Sequence, residues 1–148
     1  MRESNSPFGV SRGRFAELAR VQTVELRRRA QKYRSGLPQL NLTGLDVLLV
    51  DDGLAMGCTM LAAVREAKRL AAARVLVAAP VTSDAAHALV RAEADEVVAL
   101  RIEPHLSSVG TWYEDFDQVD DLEVCELLAR SRAVAGRMQH ENRFDTRR

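Results

Sequence analysis

The sequence predicts an α/β fold built on an open parallel sheet of about three strands with flanking helices. Three short apolar runs, Val47–Val50, Val75–Ala79 and Val97–Leu100, carry this prediction, because short apolar runs beside turn residues are typical of buried parallel strands. Segments with helical apolar spacing separate the runs, and the alternation of strand and helix indicates a parallel sheet. A length of 148 residues suits one such domain.

Four segments have apolar residues at helical spacing, and they cover residues 14–34, 59–70, 84–94 and 122–138. Gly36 and Pro38 end the first of these helices. Pro80 is expected to close the second strand, and Ser83 or Asp84 to cap the helix that follows. The domain is therefore expected over residues 14–138, after a flexible lead over 1–13 and before a polar tail over 139–148.

The net charge of zero conceals a segregation of charge along the chain. Residues 1–42 carry nine basic and three acidic side chains, whereas residues 101–128 carry one basic and eight acidic. The basic first helix is expected to face solvent or to pair with the acidic segment 114–126. It lacks the interleaved aromatic residues of single-strand binders, so no nucleic-acid partner is expected.

Other composition features predict a cytoplasmic protein without a membrane span or a protein-bound metal. The chain has no run of about 18 apolar residues, and its first residues lack the apolar core of a signal peptide. Cys58 and Cys125 fit neither a disulfide framework nor a metal knuckle. The three histidines share no ligand spacing with them.

One segment, residues 47–59, carries the chemistry. Four apolar residues end in Asp51 and Asp52, a loop of small residues follows, and a helix begins near Thr59. Ligands of open α/β sheets bind at the carboxyl ends of the strands, where this loop is expected to lie. Gly53 and Gly57 allow the backbone to turn tightly and to approach a ligand closely.

These residue types favour a ribose 5-phosphate site. Backbone amides of the loop at a helix N-terminus suit a phosphate, and the Thr59 hydroxyl adds a donor. Two carboxylates would repel the phosphate, but the vicinal hydroxyls of a ribose donate to ionised carboxylates. The alternative is an ordinary strand-to-helix turn with a capping acid. A response-regulator receiver is disfavoured because no lysine follows Lys68, and no P-loop or dinucleotide glycine motif is present.

The segment resembles the motif of type I phosphoribosyltransferases that binds 5-phosphoribosyl 1-pyrophosphate (PRPP). Together with residues 27–36 and 109–119, it resembles a bacterial group of predicted phosphoribosyltransferases over about residues 14–130. The resemblance implies that the two acids hold the ribose hydroxyls and the loop holds the 5-phosphate. The implied substrate-binding residues are Asp51, Asp52, Gly53, Leu54, Ala55, Met56, Gly57, Cys58 and Thr59. Magnesium would arrive with PRPP, bound mainly by substrate oxygens and not directly by the protein.

Two departures from the family pattern shape the expected function. Met56 stands where the family has threonine, so one phosphate-facing hydroxyl is lost. The strand and loop that bind pyrophosphate in the family do not precede residue 47, so the domain is expected to lack its N-terminal part. We therefore expect a phosphoribosyltransferase-like protein of nucleotide metabolism, a glycosyltransferase by family, that binds PRPP or a nucleotide monophosphate with weak or no turnover. The alternatives are a non-catalytic nucleotide-sensing subunit and an inert interaction remnant.

Two further expectations concern aromatic residues and association. Trp112 and Tyr113 are candidate contacts for the base, and the alternative is packing beneath a long loop or at a dimer interface. The first strand is expected to lie at an unpaired edge of the sheet, and an apolar edge favours pairing with another chain. A homodimer or a partner chain is therefore expected.

Overall fold

The computed structural model describes residues 11–145, with side chains described through residue 134. It confirms the α/β fold and the open three-stranded parallel sheet. The elements are α1 (Arg12–Tyr33), β1 (Asp46–Val50), α2 (Cys58–Arg69), β2 (Arg74–Ser83), α3 (Asp84–Arg91), β3 (Glu96–Glu103), a 3₁₀ turn at Gly110–Trp112, and α4 (Asp121–Asp145). The predicted lead over residues 1–13 lies largely outside the described residues, and so does the end of the predicted tail.

The sheet has the strand order β1-β2-β3, and its core lies on one face. Val75, Val77 and Ala79 alternate along β2 toward this face, where they pack with apolar residues of α2 and α3. Val47 and Leu49 of β1 join the same cluster. This alternation is the period of two that places every second strand residue on one face. The opposite face carries exposed apolar side chains, including those of Leu48, Val50, Val98 and Leu100.

The expectation that Pro80 closes the second strand is wrong. Strand β2 continues to Ser83, and its register with β3 passes from Ala79↔Ala99 to Val81↔Arg101 without including Pro80. The pairing between β2 and β1 ends at Ala78. Proline lacks a backbone N–H, and here it occupies a position in the strand at which no ladder partner is present. The strand therefore extends by three residues beyond the proline.

The described residues form two compact units, residues 39–117 and residues 11–38 with 118–145. The first contains the sheet with α2 and α3, and the second contains α1 and α4. In the second unit Asp121 accepts hydrogen bonds from Arg28 at 2.7 Å, from Lys32 at 3.1 Å and from the Tyr33 hydroxyl. These partners hold the pKa of Asp121 well below its usual range. The expected pairing of the basic helix with the acidic segment is confirmed at this residue.

The outer edge of the sheet is open within the described residues. There β1 pairs only with β2, so its other side carries unpaired backbone groups. Association through this edge stays a prediction. No helix in the part of the chain that the structure describes is both long and apolar enough to cross a membrane.

Candidate functional site

A cavity of about 220 Å³ lies at the carboxyl end of β1, between that strand and the N-terminus of α2. Its wall contains eight of the nine residues predicted to bind substrate: Asp51, Gly53, Leu54, Ala55, Met56, Gly57, Cys58 and Thr59, joined by Met60. Asp52 is the predicted residue that does not line it. The sheet edge, the loop and the helix end thus meet in one concave site, as expected for an open parallel sheet.

The end of β2 holds the floor of the cavity in place. Leu54 forms a one-residue parallel bridge with Thr82: its N–H donates to the Val81 carbonyl at 2.9 Å, and its own carbonyl accepts from the Ser83 N–H at 2.9 Å. The Ser83 hydroxyl donates to the carbonyl of Ala55 at 2.7 Å. Leu54 is 3% exposed, so its side chain anchors the loop in the core.

Sequence reasoning missed this support because Pro80 indicates the end of a strand. The apolar and β-branched pair that follows the proline, Val81-Thr82, was the signal that the strand continues. Ser83 has two tasks, since its hydroxyl also accepts the Ala86 N–H at 3.0 Å as the N-cap of α3. The predicted cap of this helix is confirmed.

Free backbone donors surround the cavity. Within residues 11–145, the N–H groups of Ala55, Met56, Gly57, Cys58 and Thr59 have no protein acceptor. Gly57 is the N-cap of α2 and offers no side-chain cap, so the helix end is left uncapped by protein. A helix N-terminus with unpaired amides attracts an anion through both its donors and the helix dipole.

Gly57 adopts a left-handed conformation, with φ of 72°, at a close contact between two helices. A Cβ atom at this position would lie 3.2 Å from the Cα and Cβ atoms of Ala86 on α3. Both the backbone conformation and the lack of space therefore require glycine here.

The two acids differ in environment. Asp51 is half-buried on the cavity wall, and its carboxylate accepts the N–H of Asp52 at 3.1 Å. Partial burial raises the pKa of Asp51 above its usual value, and the negative charge of Asp52 acts in the same direction, whereas the hydrogen bond from the Asp52 N–H opposes them. Asp52 is exposed. The pair is thus one half-buried aspartate on the cavity wall and one exposed aspartate beside it.

The segment after β3 closely approaches the turn formed by Asp51, Asp52 and Gly53, hereafter the acidic turn. The Tyr113 hydroxyl donates to the backbone carbonyl of Asp52 at 2.7 Å. A Cβ atom on Gly53 would lie 2.6 Å from a methyl carbon of Val109, so glycine is required at this approach. The Tyr113 hydroxyl is therefore engaged with the turn, and contact between its ring and a base stays a prediction.

Trp112 has a different neighbour. Its side chain is 45% exposed, and the Arg101 guanidinium lies 5.5 Å from the ring centroid, within the range of a cation–π contact. Neither Trp112 nor Tyr113 lines the cavity. Contact between Trp112 and a base stays a prediction.

The side chains of Met56 and Cys58 on the loop are both exposed. Met56 is 77% exposed, and the Cys58 thiol lies 3.8 Å from the Met56 carbonyl oxygen. Among the described residues, no lysine or arginine lines the cavity wall. Among the side chains that the structure describes, no group of three or more His, Cys, Asp and Glu residues is placed to hold a metal ion.

Comparison with known proteins finds curated relatives that are named as phosphoribosyl transferases. Two proteins of Mycobacterium tuberculosis, from strains CDC 1551 and H37Rv, each named "Putative phosphoribosyl transferase", are 39% identical to this chain over 112 residues. The match covers 76% of this chain and 25% of each relative, so the chain spans about a quarter of the length of the curated relatives it matches. No family model matches the chain.

A solved structure agrees with the fold. The crystal structure of the protein TT1426 from Thermus thermophilus superposes with a TM-score of 0.68 at 37% sequence identity, covering 83% of this chain and 60% of the other. A match over 83% of this chain extends well beyond the loop motif. The shared sequence and the names of the curated relatives support a phosphoribosyltransferase-family assignment over the matched 76% of the chain.

Proposed function

We propose that the cavity binds the 5-phosphoribosyl group of PRPP or of a nucleotide monophosphate. The observation that carries this proposal is the set of five unpaired backbone amides in the wall of a 220 Å³ cavity that Asp51 also lines. The phosphate accepts from the amides of Ala55–Thr59 at the α2 N-terminus. The ribose hydroxyls donate to Asp51 and, where they extend from the cavity, to Asp52.

The amide half and the carboxylate half of the proposed site suit the two ends of one ligand. Amides and a helix dipole stabilise the negative phosphate, whereas a carboxylate repels it and accepts from hydroxyl groups. A bound ribose 5-phosphate places its phosphate and its 2- and 3-hydroxyls at opposite ends, so each end meets the group that favours it. Free phosphate satisfies only the amide half.

Magnesium belongs to the proposal as a companion of PRPP. Asp51 and Asp52 supply carboxylate oxygens, but the described residues contain no third ligand that would complete a protein cage. Magnesium typically keeps several waters and substrate phosphate oxygens, so we propose that PRPP supplies most of its ligands while the two acids accept from the ribose hydroxyls. The metal would neutralise pyrophosphate charge when PRPP is bound.

Transfer of the phosphoribosyl group is proposed to be slow in this chain. Negative charge builds on pyrophosphate as its bond to the anomeric carbon breaks, and rapid transfer requires positive groups placed at that oxygen. Within the described part of the chain, the cavity wall presents no basic side chain for this purpose. We therefore expect binding without turnover at an ordinary enzymatic rate, which favours the sensing alternative over an active transferase.

Calorimetry with the 148-residue chain tests the proposal. In the presence of magnesium, ribose 5-phosphate should bind roughly tenfold more tightly than 2-deoxyribose 5-phosphate, because one hydroxyl that donates to a carboxylate is missing from the deoxy sugar. Ribose without phosphate should bind far more weakly than either. The proposal is wrong if the three sugars bind equally or if none binds.

A pyrophosphate-release assay then distinguishes the remaining alternatives. PRPP binding with no pyrophosphate release, for any of the common nucleobases, indicates a sensing role. Turnover at an ordinary enzymatic rate contradicts the slow transfer proposed here. Absence of PRPP and nucleotide binding indicates an interaction remnant.

Restoring the family's hydroxyl should strengthen the site. The Met56→Thr variant is expected to bind ribose 5-phosphate roughly five- to tenfold more tightly, because it adds one donor to a charged acceptor and loses little packing from a side chain that is 77% exposed. Met56→Val, which has the same shape without the hydroxyl, is the matched control. Equal affinities for the two variants would show that the hydroxyl does not reach the phosphate.

A further inference from the structure

We propose that Tyr113 is a positioning residue that holds the acidic turn in the geometry required for ribose. This inference rests on the proposed function of the same cavity. The contact that carries it is the hydrogen bond from the Tyr113 hydroxyl to the Asp52 carbonyl, 2.7 Å long, between residues that are 61 positions apart. It joins the segment after β3 to the turn after β1.

The segment that carries Tyr113, residues 107–117, holds its own shape. The Tyr113 and Phe116 rings pack with centroids 5.2 Å apart. The Thr111 hydroxyl donates to the Ser108 carbonyl at 2.8 Å, and the Trp112 N–H donates to the Val109 carbonyl at 3.0 Å. A hydroxyl placed on such a braced segment restrains the group that it binds.

A second contact reaches the same turn. Val109, on the same segment, packs so closely on Gly53 that a Cβ atom there would lie 2.6 Å away. The backbone of the turn is thus held at two consecutive residues, Asp52 through a hydrogen bond and Gly53 through packing. Both contacts act on the backbone, and the carboxylates of the acid pair depend on that backbone for their direction.

The phosphate half of the cavity has a separate support. Leu54 and Ala55 are held by the end of β2, through Val81 and Ser83, and not by the segment 107–117. Loss of the Tyr113 hydroxyl should therefore disturb the acids and leave the phosphate-binding amides in place. This separation gives the inference a consequence that general destabilisation does not share.

The test compares two ligands with the Tyr113→Phe variant, which keeps the ring that packs on Phe116. Ribose 5-phosphate affinity, measured by calorimetry, should fall by about three- to tenfold, whereas inorganic phosphate affinity should stay within about twofold of the wild-type value. Tyr33→Phe removes a hydroxyl that bonds Asp121 in the other unit, and it is the matched control with both affinities unchanged. Val109→Ala, which loosens the second contact, should show the same selective loss as Tyr113→Phe.

Each outcome decides the inference. A selective loss of ribose 5-phosphate binding supports it. Equal loss of both ligands indicates a merely structural role and overturns it, and so does wild-type affinity of Tyr113→Phe for both ligands. If the wild-type chain binds neither ligand, the proposed function itself fails, a result that differs from failure of the positioning role alone.

Discussion

The Gly57→Ala variant is expected to lose at least roughly tenfold in affinity for both ribose 5-phosphate and inorganic phosphate. Gly57 has a φ of 72°, and an alanine in this left-handed conformation is disfavoured by about 1–2 kcal/mol. The added methyl would also lie 3.2 Å from the backbone of Ala86, which cannot move aside as a long side chain would. The loop must relieve this strain by shifting.

Such a shift acts on the ligand directly. The amides that flank Gly57, those of Met56 and Cys58, belong to the unpaired set proposed to hold the phosphate. Rotation of the backbone toward negative φ turns these donors away from a common point, so several hydrogen bonds to a charged acceptor weaken together. Calorimetry should show the affinity loss, and thermal unfolding should show a destabilisation of roughly 2 kcal/mol.

Gly44→Ala is the matched control for this prediction. Gly44 has nearly the same backbone conformation, with φ of 73°, but a Cβ atom there meets no atom within 4 Å. It lies in the turn before β1, where its N–H donates to the Ala71 carbonyl. This variant should lose stability and keep wild-type affinity, whereas unchanged phosphate binding in Gly57→Ala would contradict the proposed role of the loop.

The fold was largely predictable because the signals for it are local. Three apolar runs and the helical spacing between them were sufficient to predict a three-stranded parallel sheet. The error was to end the second strand at Pro80. Proline is a reliable terminator only where its missing N–H would be needed, and this depends on which strand lies beside it. Which strand lies beside the proline depends on the tertiary structure, and here β1 pairs with β2 only as far as Ala78.

The site was predictable in composition but not in detail. The acid pair, the two glycines and the helix start indicated the residues that line the cavity. The difference between Asp51 in the wall and Asp52 outside it could not be read from two adjacent identical residues. The contact from Tyr113 was equally hidden, because a hydrogen bond that spans 61 positions leaves no periodicity in the sequence.

Asp51→Asn is expected to weaken ribose 5-phosphate binding while it stabilises the fold. The variant replaces an ionised acceptor in the cavity wall by a neutral amide, and hydrogen bonds to charged groups contribute about 1.5–3 kcal/mol. Affinity for ribose 5-phosphate should fall by roughly tenfold to a hundredfold. Affinity for inorganic phosphate should hold or increase, because a negative charge near the anion is removed.

The gain in stability follows from the raised pKa of Asp51. A carboxyl group whose pKa is higher in the folded chain than its ordinary value of 3.8 is harder to ionise when folded, so its ionisation opposes folding at pH 7. Asparagine has no charge to desolvate, and its side-chain oxygen still accepts the N–H of residue 52. The increase in the free energy of unfolding should be less than about 1 kcal/mol, since the group is only partly withdrawn from water.

The pH dependence of the stability gain distinguishes removal of the Asp51 charge from a general packing effect. The penalty on the wild-type chain is largest above the raised pKa of Asp51 and disappears as the pH falls below 3.8, where the carboxyl is protonated in both states. The stability difference between Asp51→Asn and wild type, measured by urea unfolding, should therefore be constant near pH 7 and shrink as the pH falls through the raised pKa of Asp51 toward 3.8. Asp46→Asn, at the exposed opposite end of the same strand, should change neither ligand affinity. If Asp51 is kept for its ligand at the expense of folding, Asp51→Asn must raise stability and lower ribose 5-phosphate affinity together. A destabilised Asp51→Asn variant with wild-type ribose 5-phosphate affinity would therefore contradict both the unfavourable burial of the Asp51 charge and the role of Asp51 in binding.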